Sequence, residues 1–177
     1  SKLGEDYLAI NTILMQFIIL AAFFLDAYAF STEGIIGFAI GKRNKKSFLM
    51  SVNNSIQLSF FTALIISLFY LIFFKEIINI ITDVEILRFL SYKHVIWIII
   101  IPPIASFCYQ LDGIFIGASQ TQDMRNGMMI SVASFIILSI YTTKYFGNHG
   151  LWFSLTLFIA LRSITLRYFF KNILKKF

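Results

Sequence analysis

Apolar stretches long enough to cross a lipid bilayer take up most of this chain. They lie at approximately residues 8–40, 48–74, 94–119, 127–146 and 151–169, and a transmembrane helix needs roughly 20 residues. Of the 177 residues, 58% are hydrophobic and 14% are charged, whereas soluble domains carry about 25% charged residues. A soluble core of this size could not bury so much apolar surface. The sequence therefore predicts an all-α fold, a polytopic membrane helix bundle forming a single transmembrane domain over residues 1–177.

The breaks within and between the spans follow from proline and glycine. Pro102 and Pro103 lie inside the third span, where each removes a backbone donor, and they predict a kink or a broken helix. Residues 147–150, with the sequence GNHG, predict a tight turn between the last two spans, because glycine and asparagine accept positive φ. We assign His149 no chemistry.

The distribution of basic residues predicts the orientation in the membrane, because cytoplasmic loops are enriched in Lys and Arg. One side collects ten of them, namely those of the run 42–46 with Arg125, Arg162, Arg167, Lys171, Lys175 and Lys176. Five acids balance the five basic residues of the other side, which are Lys2, Lys75, Arg88, Lys93 and Lys144. We expect the N-terminus outside and the C-terminus in the cytoplasm. The basic charge then reflects topology, and no nucleic-acid partner is expected.

With this orientation, an odd number of spans and no initiator methionine, we expect at least one further helix before this segment. The chain is therefore interpreted as a fragment.

Three carboxylic acids lie inside the spans: Asp26, Glu33 and Asp112. An ionisable side chain in hydrocarbon costs roughly 2.5–3.5 kcal/mol, so such residues usually face a polar cavity and handle ions or ligands. Asp26 and Glu33 are seven residues apart, so they share one helix face with the small residue Ala29, which lets another helix approach closely. Tyr109, one turn before Asp112, could donate a hydrogen bond to a bound carboxylate. We predict that these four residues serve ion coupling or substrate binding.

Other interpretations of the acids remain open. Asp26 and Asp112 could satisfy only helix contacts or water, in the case of Asp112 around the proline break. Glu33 lies near a polar end and could be solvated from the cytoplasm. A methionine group, Met124, Met128 and Met129, could line an adaptable drug pocket, although methionine more often fills gaps.

Catalytic, metal and cofactor sites are not expected. Cys108, His94 and His149 lie far apart, without metal-ligand spacing. The sequence contains no glycine-rich phosphate loop and no nucleophile paired with a base. We therefore do not expect an enzyme.

Three blocks resemble the DinF-type branch of the multidrug and toxic compound extrusion (MATE) transporters. They are LDAYAFSTEGIIGFAIGKRN at 25–44, LDGIFIGASQTQDMRNGMMIS at 111–131 and GNHGLWFSLTLFIALRS at 147–163. The resemblance covers essentially the whole chain and implies the eighth to twelfth helices of a twelve-helix exporter, that is, an incomplete C-terminal lobe. Its cavity would open to one side of the membrane at a time.

The resemblance implies a function. Such an antiporter would export cationic amphipathic small molecules or drugs and would admit H⁺ or Na⁺ as the coupling ion. Asp112 matches an acid of the tenth helix that is implicated in coupling or binding, and Asp26 and Glu33 match acids of this branch. The expected location is the bacterial inner membrane. The expected partners are the lipid bilayer and a missing N-terminal lobe or companion chain, because alternating access needs two repeats.

Two alternatives are left open. One is a noncatalytic membrane subunit or an inactive gene remnant, whose acids satisfy only helix contacts. The other is a lipid-linked sugar flippase of the wider superfamily. The cavities of such flippases are richer in Arg and Lys, which the membrane interior of this chain is predicted to lack, so the acids argue against this alternative.

Overall fold

A computed structural model describes residues 4–177 and consists of four long helices. They are α1, Glu5–Gly41; α2, Lys45–Ile81; α3, Glu85–Gly117; and α4, Thr121–Leu174. Each is long and apolar enough to cross a membrane, and residues 4–177 contain no strand. The predicted all-α membrane bundle is thus confirmed. Ser1 and Lys2, on which part of the predicted orientation rests, lie outside the described residues.

Helix α4 is a hairpin of two helical arms, because Gly147 interrupts it with φ 56° and ψ −134°, a conformation open to glycine. Thr142 Oγ1 lies 2.9 Å from the carbonyl oxygen of Gly150. Eight residues along a straight helix would separate the two by about 12 Å. The rings of Phe135 and Phe158 are also in contact, at 5.8 Å between centroids. The arms, 121–146 and 148–174, therefore run antiparallel and contain the fourth and fifth predicted spans.

Short connections make successive helices antiparallel neighbours. Three residues join α1 to α2, α2 to α3 and α3 to α4. In the first and third connections, Arg43 at φ 51° and Ser119 at φ 54° adopt the left-handed conformation. Phe177 contacts Phe48 with ring centroids 5.1 Å apart, so the C-terminus lies beside the start of α2. The end of the bundle that holds Gly41, Lys45, Gly117, Thr121 and Leu174 is here named the basic end.

Helix α3 is the central helix and contacts α1, α2 and α4. It continues through Pro102 and Pro103, so the predicted break does not occur. Pro103 cannot donate to the carbonyl of Ile99, four residues earlier. Ser67 of α2 donates its hydroxyl to that carbonyl at 2.8 Å. A donor from a neighbouring helix is what allows proline to remain inside a helix where water is absent.

Helices α1 and α3 touch at backbone level. A β-carbon at Gly113 would overlap the carbonyl oxygen of Ala29, and one at Gly117 would overlap that of Glu33. Farther along α1, a β-carbon at Gly37 would lie 3.5 Å from the carbonyl oxygen of Gly117. Small residues on both helices thus allow the close approach typical of membrane bundles. This contact holds the acid-bearing face of α1 against α3.

Replacing Gly113 with alanine should therefore destabilise the bundle. We expect the Gly113→Ala variant to lose about 1–3 kcal/mol of unfolding free energy, since the added methyl forces the two backbones apart. Denaturant unfolding in mixed micelles measures this loss. Gly34→Ala is the matched control, because a β-carbon at Gly34 meets nothing within 4 Å. Equal stability of the two variants would contradict the close contact.

Candidate functional site: a cavity with an intramembrane ion pair

A cavity of about 220 Å³ lies between α1, α3 and the second arm of α4. Its walls are mainly apolar and include Met15, Ile18, Leu25, Ile101, Leu155 and Phe158. Tyr109, Asp112 and Arg162 supply polar groups to the same lining. A cavity of this composition can hold an amphipathic molecule, with an apolar body against the walls and a charged group at Asp112 or Arg162.

Asp112 and Arg162 form an ion pair inside the bundle. Nη2 of Arg162 donates to Oδ1 of Asp112 at 2.9 Å and lies 2.9 Å from Oδ2 as well. The Arg162 side chain is only 17% exposed and the Asp112 side chain only 18%. Nε of Arg162 is buried and has no hydrogen-bond partner within residues 4–177. The guanidinium therefore compensates the carboxylate with one nitrogen and retains further donors.

The position of Arg162 corrects two expectations from the sequence. Arg162 was grouped with the basic residues of the C-terminal end, and the membrane interior was predicted to lack Arg and Lys. Arg162 lies twelve residues before the end of α4 at Leu174, which is about 18 Å along a helix. It reaches the cavity instead of the aqueous boundary. The sequence did indicate that Arg162 lies inside the membrane, because it falls within the span predicted at 151–169, where an arginine is as costly as an acid.

The structure brings two of the four predicted site residues together at the cavity. Tyr109 and Asp112 line the cavity from α3. Asp26 of α1 is partly buried and directly follows the lining residue Leu25, but it is not part of the cavity lining itself. Glu33 lies two turns farther along α1, where its backbone meets Gly117, and it is not part of the cavity lining. Tyr109 and Asp112 with Arg162 therefore form the candidate site, here named the acid cavity.

Removing one partner of the ion pair should cost more than removing both. We expect Asp112→Asn and Arg162→Gln each to lower the unfolding free energy by about 3 kcal/mol, because each leaves an unpaired charge inside the bundle. The double variant should lose less than either single variant, because no unpaired charge remains in the bundle. A double-mutant cycle by denaturant unfolding in mixed micelles measures the coupling energy.

The control for this cycle is the pair Arg88 and Asp83, which is equally close at 2.9 Å but in which the Asp83 side chain is fully exposed. A cycle on that pair should give a coupling energy of at most about 1 kcal/mol. Equal coupling energies for the two pairs would contradict a desolvated ion pair in the acid cavity.

Comparison with known proteins places this architecture in a family. The MatE family model matches residues 1–143 of the chain. DNA damage-inducible protein F of Escherichia coli is 36% identical over 166 residues, covering 94% of this chain and 36% of that protein. Protein DETOXIFICATION 43 of Arabidopsis thaliana is 24% identical over 165 residues, covering 93% of this chain and 31% of that protein.

No solved structure matches the chain. The chain spans about a third of the length of these two curated relatives. The family match covers most of the chain, and the bacterial relative aligns over nearly all of it. The chain belongs to the MatE family and, within it, to the DinF type.

Proposed function

We propose that this chain forms part of a secondary active antiporter that exports cationic amphipathic compounds in exchange for H⁺ or Na⁺. The observation that carries the proposal is Asp112 at the wall of an apolar cavity inside the bundle. A cationic amphiphile places its apolar body against these walls and its charge against the carboxylate. Membership of a transporter family supports this function. The name of one relative, Protein DETOXIFICATION 43, agrees with the export of harmful compounds.

Charge balance supports exchange in place of simple binding. Asp112 and Arg162 of the lining balance each other, so an ionised Asp26, partly buried next to the lining residue Leu25, leaves one negative charge in excess. One monovalent cation, whether a proton, Na⁺ or a cationic substrate, neutralises that excess. Two cations would leave a net positive charge in a low-dielectric cavity, which is costly. The coupling ion and the substrate therefore compete for one binding site, as antiport requires.

The proposed assembly includes an N-terminal lobe, in the same protein or in a companion chain. Alternating access in such transporters is a rocking of two repeats around a shared site, and this chain supplies helices for one of them. We place the assembly in a bacterial inner membrane, with the basic end in the cytoplasm. In this function the chain catalyses no chemical reaction and uses no cofactor.

Arg162 favours a second candidate, a flippase for lipid-linked sugars. An intramembrane arginine can bind the phosphate of such a lipid, and the membrane interior does contain one. Asp112 already pairs with this arginine, and its negative charge disfavours a phosphate in the acid cavity. A cationic substrate is thus the better match.

Export of a fluorescent cationic dye tests the proposed function. The chain is expressed, within its natural reading frame and with the N-terminal lobe that its genome encodes, in cells that lack their own pumps. We expect Asp112→Asn to reduce export to the level of cells without the protein, because the carboxylate that binds both cations is gone. Asp83→Asn, at a fully exposed carboxylate, is the control and should export normally.

The remaining outcomes are equally informative. Full export by Asp112→Asn would overturn the role of Asp112. Absence of export by the unmodified protein, despite correct membrane insertion, would favour an inactive remnant. Export that succeeds only when a separate N-terminal lobe is supplied would show that the transporter is split between two chains.

A further inference from the structure

A second cavity adjoins Arg162, on the side of the first arm of α4. This cavity, named the methionine groove, has a volume of about 570 Å³. Arg162 is the one residue that it shares with the acid cavity. Its wall is formed by Met124, Met128, Met129, Val132 and Ile136. The groove is open, since Met129 is 64% and Ile136 is 53% exposed.

The methionine groove is basic, in contrast to the acid cavity. Arg125 and Arg162 both line it, and its lining includes no acidic side chain among residues 4–177. The acid closest in sequence, Asp123, accepts a hydrogen bond from Nδ2 of Asn172 at 2.9 Å. An oxyanion in the groove would therefore meet two guanidinium groups and no carboxylate of the groove itself.

Arg162 retains hydrogen-bond donors that such an oxyanion could use. Only Nη2 is used by Asp112, and Nε is buried without a partner in the described part of the chain. A buried donor without a partner costs about 1–3 kcal/mol. Guanidinium donors match the oxygens of a phosphate, often with two parallel hydrogen bonds. An oxyanion beside Arg162 would offset that cost.

The order of residues along the groove matches the shape of a lipid. Arg125 lies four residues from the start of α4 at the basic end. Ile136 lies eleven residues farther along the arm, about 16 Å toward the middle of the bundle. Arg125 thus lies near the basic end, at the depth of a headgroup, Arg162 lies deeper beside the acid cavity, and the apolar wall follows the direction of an acyl chain. Methionine side chains adapt readily to such a chain.

We infer that the methionine groove binds an anionic phospholipid of the surrounding membrane, whose phosphate accepts hydrogen bonds from Arg125 and Arg162. Basic pockets between transmembrane helices are typical binding sites for anionic headgroups. Because the lipid occupies the groove and not the acid cavity, this inference does not depend on the proposed export.

The two cavities are then coupled through Arg162. In the ion pair, the charge of Asp112 opposes an anion on the far side of the same guanidinium. Neutralising Asp112, by a bound cation or by substitution, removes that repulsion and frees Nη2 for the lipid. By linkage, a lipid in the groove favours cation binding at Asp112 by the same factor.

Native mass spectrometry of the purified protein, encoded in its natural reading frame, tests the inference. Phosphatidylglycerol and phosphatidylcholine with identical acyl chains are titrated, and the Kd of the first bound lipid is measured for each. We expect tighter binding of phosphatidylglycerol. Arg125→Gln and Arg162→Gln should each raise its Kd about tenfold, the effect of losing a charged hydrogen bond. Asp112→Asn should lower its Kd about fivefold.

Arg167→Gln is the control, because Arg167 lies over the ring of Phe170 and outside the groove. The Kd of phosphatidylglycerol should not change in this variant. Equal losses at Arg125 and Arg167 would contradict a defined site and indicate general surface charge. Arg125 is exposed, so its variant decides the matter even if Arg162→Gln fails to fold. If inorganic phosphate alone displaces the lipid, the groove recognises a phosphate group and the inference of a lipid ligand is wrong.

Discussion

The backbone contact between α1 and α3 is the constraint on which the site depends. Lipid gives helices no hydrophobic reason to associate, so close packing at small residues must supply the attraction. Gly113 and Gly117 provide it, since neither position has room for a β-carbon. Asp112 immediately precedes the first of these glycines. The contact that joins the two helices therefore also fixes the position of the Asp112 carboxylate relative to α1.

Much of the architecture could be predicted because the bilayer restricts what a chain can form. A spanning segment must satisfy its backbone internally, so long apolar runs predict helices, and GNHG predicted the reversal in which Gly147 has positive φ. The effect of Pro102 and Pro103 could not be predicted in the same way. The donor that serves the carbonyl of Ile99 is Ser67, 32 residues away on another helix. Local sequence showed the missing hydrogen bond but not its replacement.

Only part of the acid cavity was predicted from the sequence. Asp112 was identified from the cost of a charge in hydrocarbon, and that argument needs no partner to be known. Arg162 was missed because basic residues near the end of a span usually mark topology, and it was counted with Arg167 and Lys171. Its partner lies 50 residues earlier, so only the fold reveals the pairing. Depth within a predicted span, taken at 1.5 Å per residue, would have separated Arg162 from its neighbours.

Stability alone does not explain why the ion pair is present. A buried ion pair gains little over well-packed apolar residues of the same volume, because desolvation offsets the attraction. Among residues 4–177 the site also leaves Nε of Arg162 without a partner, which a purely structural pair has no reason to do. The arginine lies between a cavity lined by Asp112 and a groove whose lining includes no acidic side chain among residues 4–177. A charge that changes on either side alters the field at the other, since the low dielectric inside the bundle screens it weakly. The pair is therefore better understood as a connection between the two proposed binding regions than as a purely structural contact within the bundle.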